Sequence, residues 1–329
     1  MKILSNIAKA TMLSVATLAL SQAALGQSIP LGIPSGAGQT MPQGLDKRPV
    51  VTDASIDVGA YDPHGDFTRD ARIKIEHLFL PWEDVELATL AIADDYARER
   101  GRTVLISVEP WSWSVDWRVT PEELLQGILA GRYDANMAAV CQAANGMESP
   151  VIIRWAQEMD ETDAQFSWAQ WPAESYVAAF RRVVTECRKH LTNARYMWSP
   201  KGNTDLQEFY PGDDYVDLIG LSVFGLQEYD RGNFGKDRTF AEALERGYEL
   251  TLGYQKPIWV AELGYEGDED YVRRWAQDAA NSGDEFPNLA AVVYFNDREV
   301  YPWPEPYGLP DWRVVKEPAI KLSRAEEGG

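Results

Sequence analysis

Cysteine is nearly absent from this chain: Cys141 and Cys187 are the only two among 329 residues, too few for a fold stapled by disulfides. Histidine is just as sparse. His64, His77 and His190 lie far apart and no H-E-x-x-H occurs, so a zinc centre lacks its usual ligands. The stretch "YDPHGD" (61–66) offers Asp62 and Asp66 but reads as an ordinary loop. No G-x-S-x-G surrounds a serine, which removes the nucleophile elbow of serine hydrolases. No G-x-G-x-x-G follows the first apolar run, which argues against an open doubly wound dinucleotide-binding sheet. Positive charge is also short. With 31 Lys+Arg against 51 Asp+Glu and a net charge of −20, nucleic acid and anionic membrane surfaces are poor partners.

Long hydrophobic runs are missing except at the start. "MKILSNIAKATMLSVATLALSQAALGQ" carries Lys2 and Lys9, an apolar stretch from Ala10 to Leu20, and small residues at Ala24 and Gly26. That is the pattern of a signal peptide cleaved after residue 26, and it predicts export to the periplasm or medium without stable membrane insertion after cleavage. Residues 27–49, rich in Gly, Pro and Gln, read as a flexible leader. A single catalytic barrel is expected over 50–325.

The two cysteines fall on helical stripes, Met137/Val140/Cys141/Ala144 and Phe180/Val183/Val184/Cys187. Two buried free thiols are the plain expectation, and a bridge between neighbouring helices is the alternative in an oxidising compartment.

Eight apolar runs follow the leader: 55–61, 75–82, 103–111, 151–158, 194–200, 216–224, 257–264 and 289–297. Helical patterns such as 87–100, 172–191, 238–254 and 268–282 separate most of them. Eight strands alternating with helices predict an α/β fold, a (β/α)₈ TIM barrel in a single domain.

Catalytic groups of such a barrel lie at the carboxyl ends of its strands, and here those ends carry acids and aromatics. Strict alternation along the fourth run puts Ile152, Arg154, Ala156 and Glu158 on one face; along the seventh it aligns Ile258, Val260 and Glu262. Both glutamates are thereby expected to face the barrel mouth. Two carboxylates flanking one bond suit glycoside hydrolysis, one donating a proton and the other ionised. Arg154 favours ionisation of whichever carboxylate it touches; contact with Glu262 makes Glu262 the nucleophile and Glu158 the acid. Glu109 is the first fallback acid. Among the 12 tryptophans, Trp82, Trp111, Trp113, Trp117, Trp198 and Trp303 stand at strand ends or in the loops beyond, where indole faces can stack on sugar rings. Trp155 and Trp259 alternate out of phase with the glutamates and are expected beneath helices.

The segments "LLQGILAGRYDANM" (124–137), "VIIRWAQEMDE" (151–161), "YMWSPKG" (196–202), "FYPGDDYVDLIGLSVFG" (209–225), "KPIWVAELG" (256–264) and "AVVYFND" (291–297), in this order and spacing, resemble glycoside hydrolase family 26, the β-mannanase-type branch of a retaining barrel clan. The resemblance implies a retaining double displacement without cofactor or metal, with Glu158 as acid/base and Glu262 as nucleophile. It also implies a β-linked polysaccharide substrate of β-mannan or β-glucan type. Arg154, Gln157, Glu109, Trp111, Trp198, Phe224 and Trp303 are the candidate substrate contacts. Gln157 stands where the family usually has His, and Phe224 where it usually has Tyr. These departures bring in a bacterial exopolysaccharide as substrate, or a catalytically degenerate carbohydrate-binding barrel as the rival.

Overall fold

Every apolar run becomes a strand in the computed structural model, which describes residues 45–52, 55–161, 165–202 and 206–315. The strands are β1 Asp57–Tyr61, β2 Ile73–Pro81, β3 Thr103–Glu109, β4 Val151–Trp155, β5 Ala194–Trp198, β6 Leu218–Leu226, β7 Ile258–Glu266 and β8 Leu289–Phe295. Each pairs in parallel with the next, and β1 pairs with β8, so the sheet closes. Closure leaves no unpaired edge. The (β/α)₈ barrel is thus the architecture. The signal segment 1–26 and the leader up to residue 44 lie outside the described residues.

The strand parity divides the apolar side chains into two layers. Ile75, Leu105, Ile152, Met197, Leu218, Trp259, Ala261, Ala291 and Val293 fill the barrel interior. A larger outer layer, including Val104, Ile106, Ile153, Trp155, Leu221 and Val260, meets the helices. These helices are α1 Thr89–Glu99, α2 Pro121–Leu129, α3 Asp134–Asn145, α4 Ala173–Arg188, α5 Gln227–Phe234, α6 Phe240–Leu252 and α7 Glu269–Asp278. The four expected patterns correspond to α1, α4, α6 and α7, each slightly shorter than its pattern. Starts are set by caps: Thr120 with Glu123 and Thr239 with Glu242 form reciprocal capping boxes, and Asp268 accepts from the Tyr271 N–H. The α4 stripe buries Tyr176, Phe180, Val183, Val184 and Cys187 against the sheet.

The barrel body includes residues before position 50. Lys47 is buried; its Nζ donates to the Asp311 carbonyl at 2.6 Å and its own carbonyl accepts from Tyr265 Oη at 2.5 Å. The final residues assigned to a flexible leader are therefore part of the barrel body.

The cysteines are buried as expected, but they are not free thiols. Cys141 on α3 and Cys187 on α4 form a disulfide, with Cα atoms 5.4 Å apart, because the two helical stripes pack side by side on the same flank of the sheet. With a sequence separation of 46 between the cysteines, the link restricts the unfolded chain substantially. Replacing both by alanine is expected to lower the unfolding free energy by about 3–4 kcal/mol, read as a shift of the urea midpoint. A midpoint that does not move would show that the bond contributes nothing.

Candidate active site

The strand β4 ends at Trp155, three residues before Glu158. Simple alternation therefore does not carry Glu158 to the barrel mouth. Ala156 and Glu158 instead adopt left-handed backbone, with φ of +48° and +55°, a conformation that strains residues bearing a Cβ and that tends to occur where function demands it. Hydrogen bonds to the end of β5 hold the turn. Glu158 N–H donates to the Ser199 carbonyl at 2.7 Å, and Asp160 accepts from the N–H groups of Lys201 (2.7 Å) and Gly202 (2.9 Å). Glu161 pairs with Lys201.

Glu262 reaches the same cleft by another departure from alternation. On β7, Ile258, Val260 and Leu263 belong to the outer layer and Trp259 and Ala261 to the interior. Ile258, Val260 and Glu262 thus do not share a face. A bulge intervenes: Leu221 pairs with Val260 but Ser222 pairs with Glu262, which leaves Ala261 as the extra residue. The bulge reverses the parity and turns Glu262 inward. The same parity places Trp259 inside the barrel rather than beneath a helix, a correction to its expected position. Trp155 does lie beneath α4, its ring 6.2 Å from that of Tyr176 and 6.0 Å from that of Phe180.

Inside the barrel Arg154 is fully buried and its Nη1 donates to Glu262 Oε1 at 2.6 Å. Nε donates to Ser199 Oγ at 2.8 Å and Nη1 also to Ser107 Oγ at 3.0 Å. Ser107 Oγ lies 2.8 Å from His77 Nε2. Burial, aided by the Arg154 charge, pushes the His77 imidazole well below its ordinary value, so a neutral ring backs the network. Gly220 makes room for this layer, since a Cβ there would fall 2.6 Å from Met197 Sδ and 2.8 Å from Ser199 Oγ.

Two opposing effects act on Glu262. Burial raises its carboxyl, the Arg154 guanidinium lowers it, the Glu158 and Glu299 charges raise it again, and the result is pushed up to about 7. The arginine thus favours ionisation as expected, yet desolvation is the larger effect.

Glu158, Glu262, Phe224 and Trp303 line one open cleft of about 740 Å³, together with Ser222 and Glu299. Other expected contacts lie elsewhere. Trp198 is buried in the outer layer with its ring against Tyr210 and Tyr254, because it follows the inward-facing Met197 and so points out. It is corrected from a sugar contact to a packing residue. Gln157 and Glu109 are buried against each other, Gln157 Nε2 donating to Glu109 Oε1 at 2.9 Å. They come from the ends of neighbouring strands and, unlike Glu158, do not line this cleft. Trp111 Nε1 donates to the other oxygen of Glu109 at 3.0 Å, and its ring lies beneath the Arg118 guanidinium at 3.6 Å. It borders a separate small cavity with Glu83 and Tyr133. Trp82 stacks on Tyr133, whereas Trp113 and Trp117 are exposed.

Glu299, Lys201 and Tyr229 also line the cleft without having been singled out from the sequence. Glu299 lies two residues past the acidic end of the β8 run, and that proximity is the only local signal for it. No group of three or more His, Cys, Asp and Glu among the described residues could hold a metal ion. No helix among them is long and apolar enough to cross a membrane.

The profile of glycosyl hydrolase family 26 matches residues 124–241, from α2 through β6 to the start of α6. A β-1,3-xylanase of Alcaligenes sp. is 31% identical over 165 residues, covering 47% of this chain and 32% of the xylanase. A mannan endo-1,4-β-mannosidase of Bacillus subtilis strain 168 is 23% identical over 160 residues, covering 43% of this chain and 39% of that enzyme. The matches thus span only about a third of the length of these curated relatives. Among solved structures, the modular endo-β-1,4-mannanase of Cellulomonas fimi superimposes with a TM-score of 0.53 at 20% identity, covering 64% of this chain and 52% of that one. Over residues 124–241 this chain is similar to glycosyl hydrolase family 26, and its barrel shares the fold of the Cellulomonas fimi mannanase.

Proposed function

We propose that the protein is a retaining glycoside hydrolase that cleaves a β-linked polysaccharide, with Glu262 as nucleophile and Glu158 as acid/base. The observation that carries this reading is the Arg154–Glu262 ion pair at 2.6 Å on a cleft that Glu158 also lines. The guanidinium holds the negative charge on Glu262, as attack at an anomeric carbon requires, and leaves Glu158 to protonate the departing oxygen. Water then enters, Glu158 takes its proton, and the glycosyl–Glu262 ester breaks with a second inversion.

The substrate class follows from the cleft and the relatives. Phe224 and Trp303 supply apolar faces for pyranose rings, and the matched proteins are named for β-1,3-xylan and β-mannan. β-Mannan, β-glucan, β-1,3-xylan and an exopolysaccharide of the same cell form the panel to test. Export to the periplasm or medium belongs to the same proposal and is supported by the Cys141–Cys187 disulfide.

The test is release of new reducing ends from that panel, followed by proton NMR of the first products. The expected outcome is hydrolysis of at least one member with the β-anomer formed first. An initial α-anomer would refute the double displacement, and binding without new ends would favour a degenerate lectin-like barrel. Since Glu262 must be ionised to attack and burial pushes it up to about 7, kcat/KM is expected to fall as pH drops below about 7.

A further inference from the structure

The chain beyond β8 folds back on itself and brings a third carboxylate into the cleft. Arg298 bridges to Asp311 and Trp303 to Gly308 in antiparallel fashion. Glu299 N–H donates to the Pro310 carbonyl at 3.0 Å, and Trp303 N–H to the Gly308 carbonyl at 2.7 Å. The returning segment packs Trp312 against β7 at Gly264, where a Cβ would come within 2.8 Å of the indole. From that position Trp312 Nε1 donates to Glu299 Oε1 at 2.9 Å.

The returning chain thus supplies an indole donor to a carboxylate that lines the cleft alongside Trp303. That bond orients the carboxylate. A carboxylate has about four acceptor positions, so most remain open after the Trp312 bond, on a residue that lines the same cleft as Glu158 and Glu262. The charged groups facing Glu299 are Glu158 and Glu262, which repel it, and Lys201, which attracts it. No cation lies in hydrogen-bond contact with it among the described residues.

We propose that Glu299 is a specificity-determining residue, its indole-anchored carboxylate accepting hydrogen bonds from hydroxyls of a sugar unit bound across Glu158 and Glu262. This rests on the proposed function and names the part of the cleft that selects the sugar. A site built to accept from a hydroxyl discriminates strongly against a sugar that lacks it or places it differently. Burial raises the Glu299 carboxyl to about 7 against the lowering effect of the Trp312 bond, so its acceptor strength is greatest on the alkaline side.

The test uses the full chain and two probes, β-1,4-mannopentaose and β-1,3-xylopentaose. Their binding to Glu262→Gln and to the Glu262→Gln/Glu299→Gln double variant is measured by titration calorimetry, and kcat/KM on mannan and β-1,3-xylan is compared for the parent and Glu299→Gln. Expected are a loss of affinity of about tenfold or more for the preferred pentaose and a change of at least about tenfold in the ratio of kcat/KM between the polysaccharides. A merely structural acid leaves that ratio unchanged. Trp312→Phe, which keeps the ring and removes the donor, should move the ratio in the same direction even where Glu299→Gln folds poorly. Unchanged ratio and affinity in both variants, with the parent active, overturn the proposal alone. A parent that binds a pentaose in a Glu299-dependent manner but cleaves nothing overturns hydrolysis and leaves this proposal standing.

Discussion

Glu262→Ala is expected to lower kcat by on the order of 10⁴-fold, with part of the rate restored by azide. The alanine removes the attacking oxygen and leaves a space beside Arg154, whose Nη1 loses its acceptor at 2.6 Å. A small anion can enter that space, paired with the guanidinium, and attack the anomeric carbon from the same side as Glu262. The product is then a glycosyl azide of α configuration, formed by a single inversion and visible by NMR. Glu158→Ala contrasts with it, since loss of the acid is tolerated best when the leaving group needs no proton. Azide rescue of Glu158→Ala to a β-azide, with none for Glu262→Ala, would exchange the two roles. Parental rates in both variants would end the assignment altogether.

Arg154→Met is expected to destabilise the fold by about 3–5 kcal/mol at pH 8.5, the cost of leaving a buried charge without its partner. Glu262 remains buried while its ion pair and its attraction to the guanidinium are gone. Its carboxyl, already pushed up to about 7 by burial, moves higher still. The sign of the pH effect follows. A carboxyl whose folded value exceeds its unfolded value carries no penalty while both states are protonated. It carries the full penalty once pH exceeds the folded value. The difference between parent and variant should therefore be larger at pH 8.5 than at pH 5.5 in urea titrations, and the acid limb of kcat/KM should shift to higher pH. Equal destabilisation at both values would mean that Arg154 acts through packing with Ser107 and Ser199 and not through Glu262.

The barrel was legible because its evidence is local. Each strand is a short apolar run bounded by turn residues, and the stripe on α4 from Tyr176 to Cys187 needs nothing beyond helical spacing to be recognised. Glu158 and Glu262 were found for reasons that the structure revises. Alternation assumes an unbroken pleat, whereas Glu158 stands beyond the end of β4 on left-handed backbone and Glu262 follows a bulge at Ala261. Both departures depend on neighbouring strands: the first on the carbonyl of Ser199, the second on the register against β6. A period of two contains no information about either. Trp198 and Trp259 show the converse, since a count of tryptophans at strand ends cannot tell which side of the sheet each one takes.

Composition and pattern sufficed for the strand-helix alternation and the number of strands, because these follow from hydrophobic periodicity over a few positions; the two glutamates stood out by their chemistry near the ends of apolar runs and not by their period. Only the tertiary structure decided that Arg154 contacts Glu262, that Cys141 meets Cys187, that Trp198 faces away from the cleft, and that the chain after β8 returns to anchor Glu299 through the Trp312 indole. Each of these joins residues brought together by closure of the sheet or by packing between its helices and loops, and such proximity leaves no periodic trace along the chain.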